Sequence, residues 1–250
     1  MFSSRVKALK SGSYFNLGPL YPRRNKRYYM SDVEKPRLFS YYRSSCSYRV
    51  RIALHYKNIE FDYIPIHLIN DGGEQNSEEF VKINPMGQIP FYFDGRNGFS
   101  QSMAIMQYLD ETHPNPRIFP EKLDEKFKVI ELCEMINSGI QPIQNLSVIQ
   151  ALQKDHGFSQ DDISLWCRRW IEKGLTAYQS MIEKIAGQYS LAHMITAADM
   201  FLVPQVYNAN RFDVDMDRFQ LLEKIVSNCM QEAAFIEASP QSQPDTPTDN

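Results

Sequence analysis

The chain has 250 residues, 43% hydrophobic and 23% charged, enough to bury one large core or two smaller ones. Its formal charge of −3 is uneven: residues 1–30 hold seven basic side chains (Arg5, Lys7, Lys10, Arg23, Arg24, Lys26, Arg27) and no acid, which leaves 20 basic and 30 acidic residues in the remainder. A body this acidic argues against nucleic acid as a partner, and no apolar run approaches the roughly 18 residues of a membrane span.

Residues 1–34 read as a basic extension, either disordered or a mitochondrial targeting segment. Gly12, Gly18, Pro19 and Pro22 interrupt the amphipathic helix that targeting favours. From there the signals alternate. Residues 38–42 form an apolar strand, and 47–57 a helix with Val50, Ala53 and Leu54 on one stripe. Residues 61–68 alternate as a second strand, and "NDGGEQNSEEF" is a glycine-rich loop entering a short helix near Ser77. "FYFDGRNGF" predicts a hairpin turning at Asp94-Gly95 or Asn97-Gly98, and "SQSMAIMQYLDETHP" a helix that ends before Pro114. The order over 35–113 is βαβαββα, which predicts a sheet whose parallel strands are joined by helical crossovers.

"HPNPRIFPE", with three prolines, predicts a stiff linker. Strand signals then vanish. Between 163 and 185, Ile163, Trp166, Cys167, Trp170, Ile171, Leu175, Tyr178, Ile182 and Ile185 recur at helical spacing, predicting one long packed helix. "TAAD" from Thr196 has the form of a capping box ahead of the apolar run "MFLVP", which predicts a buried helix and a structural role for Asp199. Residues 121–237 are therefore expected to form an all-α domain. The polar, proline-rich residues 238–250 read as a disordered tail. Cys46, Cys133, Cys167 and Cys229 are far apart and form no CxxC pair, so neither a metal site nor a disulfide framework is expected. A reducing compartment, the cytoplasm, fits them unless residues 1–30 direct the chain to mitochondria.

Three short stretches can carry chemistry. "SSCS", from Ser44, lies at a strand-to-helix junction, where free N–H groups and the helix dipole favour an anion. A thiol of ordinary pKa about 8.5 is lowered at such a place, so the junction is suited to a thiolate. Ser44 or Ser45 as a plain N-cap, with Cys46 as a small filler, accounts for the same residues. "NPMGQIP" sets Pro90 before a strand, as a cis proline or as an ordinary trans residue opening an edge. "GFSQSMAI" puts Gln101 and Ser102 at a helix start, where N–H groups and a hydroxyl can hold a carboxylate or simply cap.

Taken together, "SSCSYRVRIAL", "DGGEQ", "NPMGQIP", "QSMAI", "GIQPIQNLS", "ITAAD", "LVPQVYNANRF" and "QPDTPT" resemble the zeta-class glutathione transferases, the maleylacetoacetate isomerases, over about residues 35–249. The resemblance implies a thioredoxin-like glutathione-binding domain, a helical substrate domain and a homodimer. It implies that Ser44 donates a hydrogen bond to the glutathione sulfur and that Cys46 assists catalysis nearby. Ser45, Ser47, Tyr48, Arg49, Gln75, Ile89, Gln101, Ser102, Gln141, Asn145, Leu146 and Ser147 would complete the glutathione site, and Arg211 would receive a carboxylate of a small, unsaturated dicarboxylic ketone. Arg51 is read as structural. The implied activity is glutathione-dependent cis–trans isomerisation of maleylacetoacetate to fumarylacetoacetate in tyrosine and phenylalanine catabolism. General glutathione transfer, α-haloacid dehalogenation and a non-catalytic binding role are the alternatives. The sequence departs from the family pattern at Tyr48 (usually Trp), at Gly87 (commonly Lys), at Ala192-His193 (commonly Gly-Asp) and in a longer segment after Ser147.

Overall fold

The computed structural model of the chain describes residues 35–248. The basic extension expected over residues 1–34 lies outside the described residues. Four strands, β1 (Arg37–Ser40), β2 (Asp62–Pro65), β3 (Phe91–Phe93) and β4 (Gly98–Ser100), pair in the order β2-β1-β3-β4. Around them run α1 (Ser45–Tyr56), α2 (Glu78–Ile83) and α3 (Ser102–Thr112). The βαβαββα order is as the periodicities predict, but the sheet is mixed. Only β1 and β2 are parallel, while β3 runs antiparallel to both β1 and β4. The α1 crossover carries the chain back to make β2 parallel to β1, and the tight turn after Phe93 allows only an antiparallel return for β4. At that turn the Asp94 carboxylate accepts from the amides of Arg96 (2.7 Å) and Asn97 (2.6 Å).

Strand alternation divides the core in two. Leu38 and Tyr92 point to the face covered by α1 and α3, and Phe39, Phe91 and Phe93 to the opposite face, where Phe80 of α2 closes a smaller cluster. The larger cluster runs on into the helical half: α4 (Leu123–Asn137), α5 (Leu146–His156), α6 (Gln160–Ile182), α7 (Ala197–Arg211), α8 (Gln220–Cys229) and α9 (Ala233–Glu237). The long helix is α6; Ile163, Cys167, Ile171, Leu175, Tyr178 and Ile182 of the predicted stripe are buried, Trp166 and Trp170 are half-buried, and the helix ends at Ile182, short of Ile185. The segment after Ser147 extends α5 and then turns at Gly157 (φ +69°) into a Ser159–Asp162 capping box that starts α6. Asp199 is fully buried, accepting from the amides of Ser190 (2.7 Å) and Thr196 (2.9 Å) at the start of α7. The structural role read for it from the sequence fits this setting. No helix among the described residues is long and apolar enough to cross a membrane.

Two polar networks fasten the halves together. Lys57, at the end of α1, forms a fully buried ion pair with Asp110 of α3 (2.8 Å) and donates to the carbonyls of His113 and Pro116 in the linker. Asp110 also accepts from the Ile118 amide (2.8 Å), so the proline-rich linker is held by side chains as well as by its own rigidity.

The second network corrects the expectation of a disordered tail. After α9 the chain makes a 3₁₀ turn (Pro240–Ser242), and Gln243 donates to the carbonyls of Glu237 and Ser239 (2.8 Å each). Asp245 then reaches the first domain, accepting from the Tyr42 amide (3.0 Å) and the Tyr63 hydroxyl (2.7 Å). Polar composition gives such a segment no core of its own, but the sheet domain supplies its partners.

Candidate active site

Between the two halves lies a cleft of about 790 Å³, with the start of α1 on one wall and α5 and the end of α7 on the other. Ser44 caps α1: its Oγ accepts from the Ser47 amide at 3.2 Å. The N-cap and thiolate-donor readings are compatible, because the cap uses a lone pair and leaves the hydroxyl proton free to be donated into the cleft. Cys46 lies one turn-step further on, partly exposed, and also lines the cleft, as does the largely buried Ser45.

The opposite rim of the first domain is built from loops whose backbone is fixed. The Ile89–Pro90 bond is cis, and the Asn84 side chain donates to the Gln88 carbonyl (2.5 Å) just before it. Gly87 stands at φ +57°, and a Cβ there would come within 3.2 Å of the Gln75 carbonyl, so glycine suits this loop. Gln75 donates to the Leu68 carbonyl (3.2 Å), while its buried Oε1 has no partner and is available to a ligand N–H. Gln101 adopts φ +71° without being glycine, a conformation uncommon enough to need support from its surroundings. It turns the chain so that Ser102 opens α3 at the cleft.

Ser47, Tyr48 and Arg49, expected in the glutathione site, do not line the cleft. Ser47 is fully buried. Tyr48 donates its hydroxyl to the Phe235 carbonyl (3.2 Å), so the tyrosine that replaces the usual tryptophan packs between α1 and α9. Arg49 is completely buried and donates to Ser102 Oγ (3.1 Å) and Asn137 Oδ1 (2.9 Å), with its guanidinium 4.2 Å from the Phe201 ring. Burial lowers its pKa, with Cys46 acting in the opposite direction. The guanidinium occupies an acceptor site of Ser102, leaving that hydroxyl free to donate upward. Arg51 is likewise buried and structural, and burial lowers its pKa to about 10.

From the helical half, Gln141, Asn145, Leu146 and Ser147 all reach the cleft. Asn145 caps α5, accepting from the Ser147 amide and hydroxyl (3.1 and 3.0 Å). Arg211 ends α7 with Nη1 held by Asn208 Oδ1 (3.1 Å) and its guanidinium 5.4 Å from the Phe212 ring. Its pKa is lowered by burial and then by Arg43. Arg43 lines the same cleft and went unassigned in the sequence, where it stands one residue ahead of the Ser-Ser-Cys motif with nothing to mark its direction. Among the lining residues there is no carboxylate, and these two arginines are the only charged side chains. In a chain whose body is net acidic, that lining makes the cleft a receptor for anions.

The comparisons agree with this geometry. Residues 38–117 match the family model described as "Glutathione S-transferase, N-terminal domain". A Mus musculus protein named maleylacetoacetate isomerase is 42% identical over 216 residues, covering 86% of this chain and 97% of its own. A "Glutathione S-transferase zeta class" of Euphorbia esula is 39% identical over 223 residues, covering 87% and 97%. Among solved structures, the maleylacetoacetate isomerase of Anaeromyxobacter dehalogenans, with glutathione bound in its active site, superposes with a TM-score of 0.77 at 37% identity, covering 85% of this chain and 98% of that one. The chain belongs to the zeta-class glutathione S-transferase, or maleylacetoacetate isomerase, family.

Proposed function

We propose that the chain catalyses the glutathione-dependent cis–trans isomerisation of maleylacetoacetate to fumarylacetoacetate. The observation that carries this reading is the pairing, in one cleft, of the Ser44–Cys46 junction with an acid-free lining that contains Arg43 and Arg211. Residue types and fixed positions fit glutathione: hydroxyls at Ser44 and Ser102, the unpartnered Gln75 Oε1, and Ile89 at the cleft beside the cis bond to Pro90. When bound, glutathione supplies a thiolate that adds reversibly to a conjugated double bond and so frees it to rotate.

This chain's own residues supply what the chemistry needs. Ser44 donates its free hydroxyl proton as a hydrogen bond that favours an ionised sulfur, and the start of α1 adds its dipole. Cys46 assists beside it. Gln101 and Ser102 hold the γ-glutamyl carboxylate, and Gln141 with Asn145, Leu146 and Ser147 closes the site from the helical side. Arg211, kept in place by Asn208, receives a substrate carboxylate, and a guanidinium does so with two parallel hydrogen bonds while staying charged. Both arginines also stabilise negative charge that spreads onto the substrate oxygens. Ser47, Tyr48 and Arg49 act from below, fixing α1 and Ser102.

The division of labour we propose is glutathione binding by residues 35–113 and substrate selection by 121–237. A cytoplasmic homodimer serving tyrosine and phenylalanine breakdown is the setting that fits. Exposed Leu123 and Phe127 of α4 are apolar side chains that a second copy would cover. Conversion of maleylacetone, a small stand-in for the substrate, tests the reading. Rapid conversion only when glutathione is present is expected; equal rates with and without it would overturn the proposal.

A further inference from the structure

We propose that Asp245, in the C-terminal segment, is a positioning residue for the thiolate site, acting through the loop that carries Arg43 and Ser44. The proposal rests on the reading of that site given above. Residues 41–44 make a turn in which the Ser44 amide donates to the Tyr41 carbonyl (3.0 Å). Two charged side chains take three of the polar backbone groups at Tyr41 and Tyr42. Arg51 donates to the carbonyls of Tyr41 (3.2 Å) and Tyr42 (2.9 Å), and the Asp245 carboxylate accepts from the Tyr42 amide (3.0 Å).

The two clamps are themselves joined through the tail. Arg51 Nε donates to the Ala238 carbonyl (2.9 Å), and Asp245 raises the affinity of Arg51 for its proton through their mutual attraction. The second Asp245 oxygen is anchored on the Tyr63 hydroxyl of β2 (2.7 Å). Asp245 cannot drift, because Gln243 ties the tail to the end of α9, Thr246 donates its amide to the Gln243 carbonyl (3.1 Å), and its hydroxyl bonds the Pro240 carbonyl. Alone, a docked tail would be a stability device. Here its one charged contact falls on the amide two residues before Ser44, on a loop whose next two side chains both face the cleft. A donor to a thiolate must be held to a fraction of an ångström, since charge-assisted hydrogen bonds weaken steeply with misalignment.

The test uses the full chain and reads the thiol of bound glutathione by its thiolate ultraviolet absorption across pH, together with kcat and KM for maleylacetone. Asp245→Ala is expected to raise the apparent thiol pKa and to lower kcat roughly tenfold with a smaller change in KM, since small misplacements at a reacting centre cost more in turnover than in binding. Asp245→Asn keeps the shape and one oxygen for the Tyr42 amide, and it is expected to recover most of that loss; if the alanine variant does not fold, Asp245→Ser, whose shorter side chain does not span to the Tyr42 amide, carries the test with the same expected rise in thiol pKa and fall in kcat. Tyr63→Phe leaves the Tyr42 contact and is expected to shift the thiol little. Asp245→Ala that folds and leaves both thiol pKa and kcat unchanged, while Ser44→Ala moves them, would overturn the proposal and leave the site intact. A wild-type protein that binds glutathione without lowering its thiol pKa would instead overturn the reading of the site and this inference with it.

Discussion

In the proposed chemistry, Ser44, Cys46 and Arg211 differ in what each side chain can still offer after its structural bonds are counted. Cys46 has no hydrogen bond to lose, so Cys46→Ala is expected to keep the fold and glutathione affinity while slowing isomerisation selectively, seen as a drop in kcat at unchanged glutathione KM. Arg211→Lys keeps a positive charge but not the fork, and about 1–2 kcal/mol of carboxylate recognition is expected to go with it, roughly a tenfold rise in KM for the ketone. Arg211→Met removes charge as well, with an expected loss of about 3 kcal/mol, or on the order of 10² in kcat/KM. An Arg211→Met enzyme as active as the wild type on maleylacetone would move the carboxylate site elsewhere. His55 makes a different contribution. Burial lowers its pKa despite Glu237 at 3.0 Å, so its neutral form is favoured on folding. Folding stability is therefore expected to be complete above the unfolded value near 6.5 and to fall as pH drops through it toward the lower folded pKa. His55→Gln should flatten that part of a stability–pH curve measured by denaturant unfolding.

At the scale of elements, α1 explains both what the sequence made legible and what it concealed. The strand-to-helix junction at Ser44 was readable because capping residues are chemically distinctive at such a place. Which residues of α1 face the cleft was not, because the helix is buried from Ser45 to Leu54 on nearly all sides, leaving only Cys46 partly open. The stripe of Val50, Ala53 and Leu54 marks one packed face, but the polar Ser47, Arg49 and Arg51 are buried too, so the pattern does not separate Cys46 from Ser47, Tyr48 and Arg49. The tail is silent for the opposite reason: Gln243 and Asp245 dock by two side-chain hydrogen bonds each, which leave no periodic pattern. The Lys57–Asp110 pair was equally silent, as two charges on separate helices give no sign of meeting. Removing the cation by Lys57→Met would leave Asp110 buried with the Ile118 amide at 2.8 Å and, as its nearest cation, Arg117 at 3.3 Å. A loss of about 3 kcal/mol, or roughly 10 °C in Tm by calorimetry, is expected; a shift of a degree or less would show that the pair contributes little.

For the whole molecule, the cleft is the product of two domains with different contents. The sheet domain brings the capped helix start, the cis-proline loop and the start of α3 to one wall. The helical domain brings α5 and Arg211 to the other, so that Arg43 and Arg211 are the charged side chains of the lining. The division into two halves and the βαβαββα order could be read from a change of period alone. The mixed sheet and the acid-free lining could not, since both depend on which distant segments meet. The account stands on Ser44 as the donor that holds a thiolate, and the pH dependence of kcat/KM for maleylacetone in Ser44→Ala tests that most directly. Loss of a hydrogen bond to a charged sulfur, worth about 1.5–3 kcal/mol, predicts a basic shift of roughly one to two units in the rising limb and a matching fall in rate at neutral pH. A Ser44→Ala profile that overlays the wild type in both position and height would contradict the account.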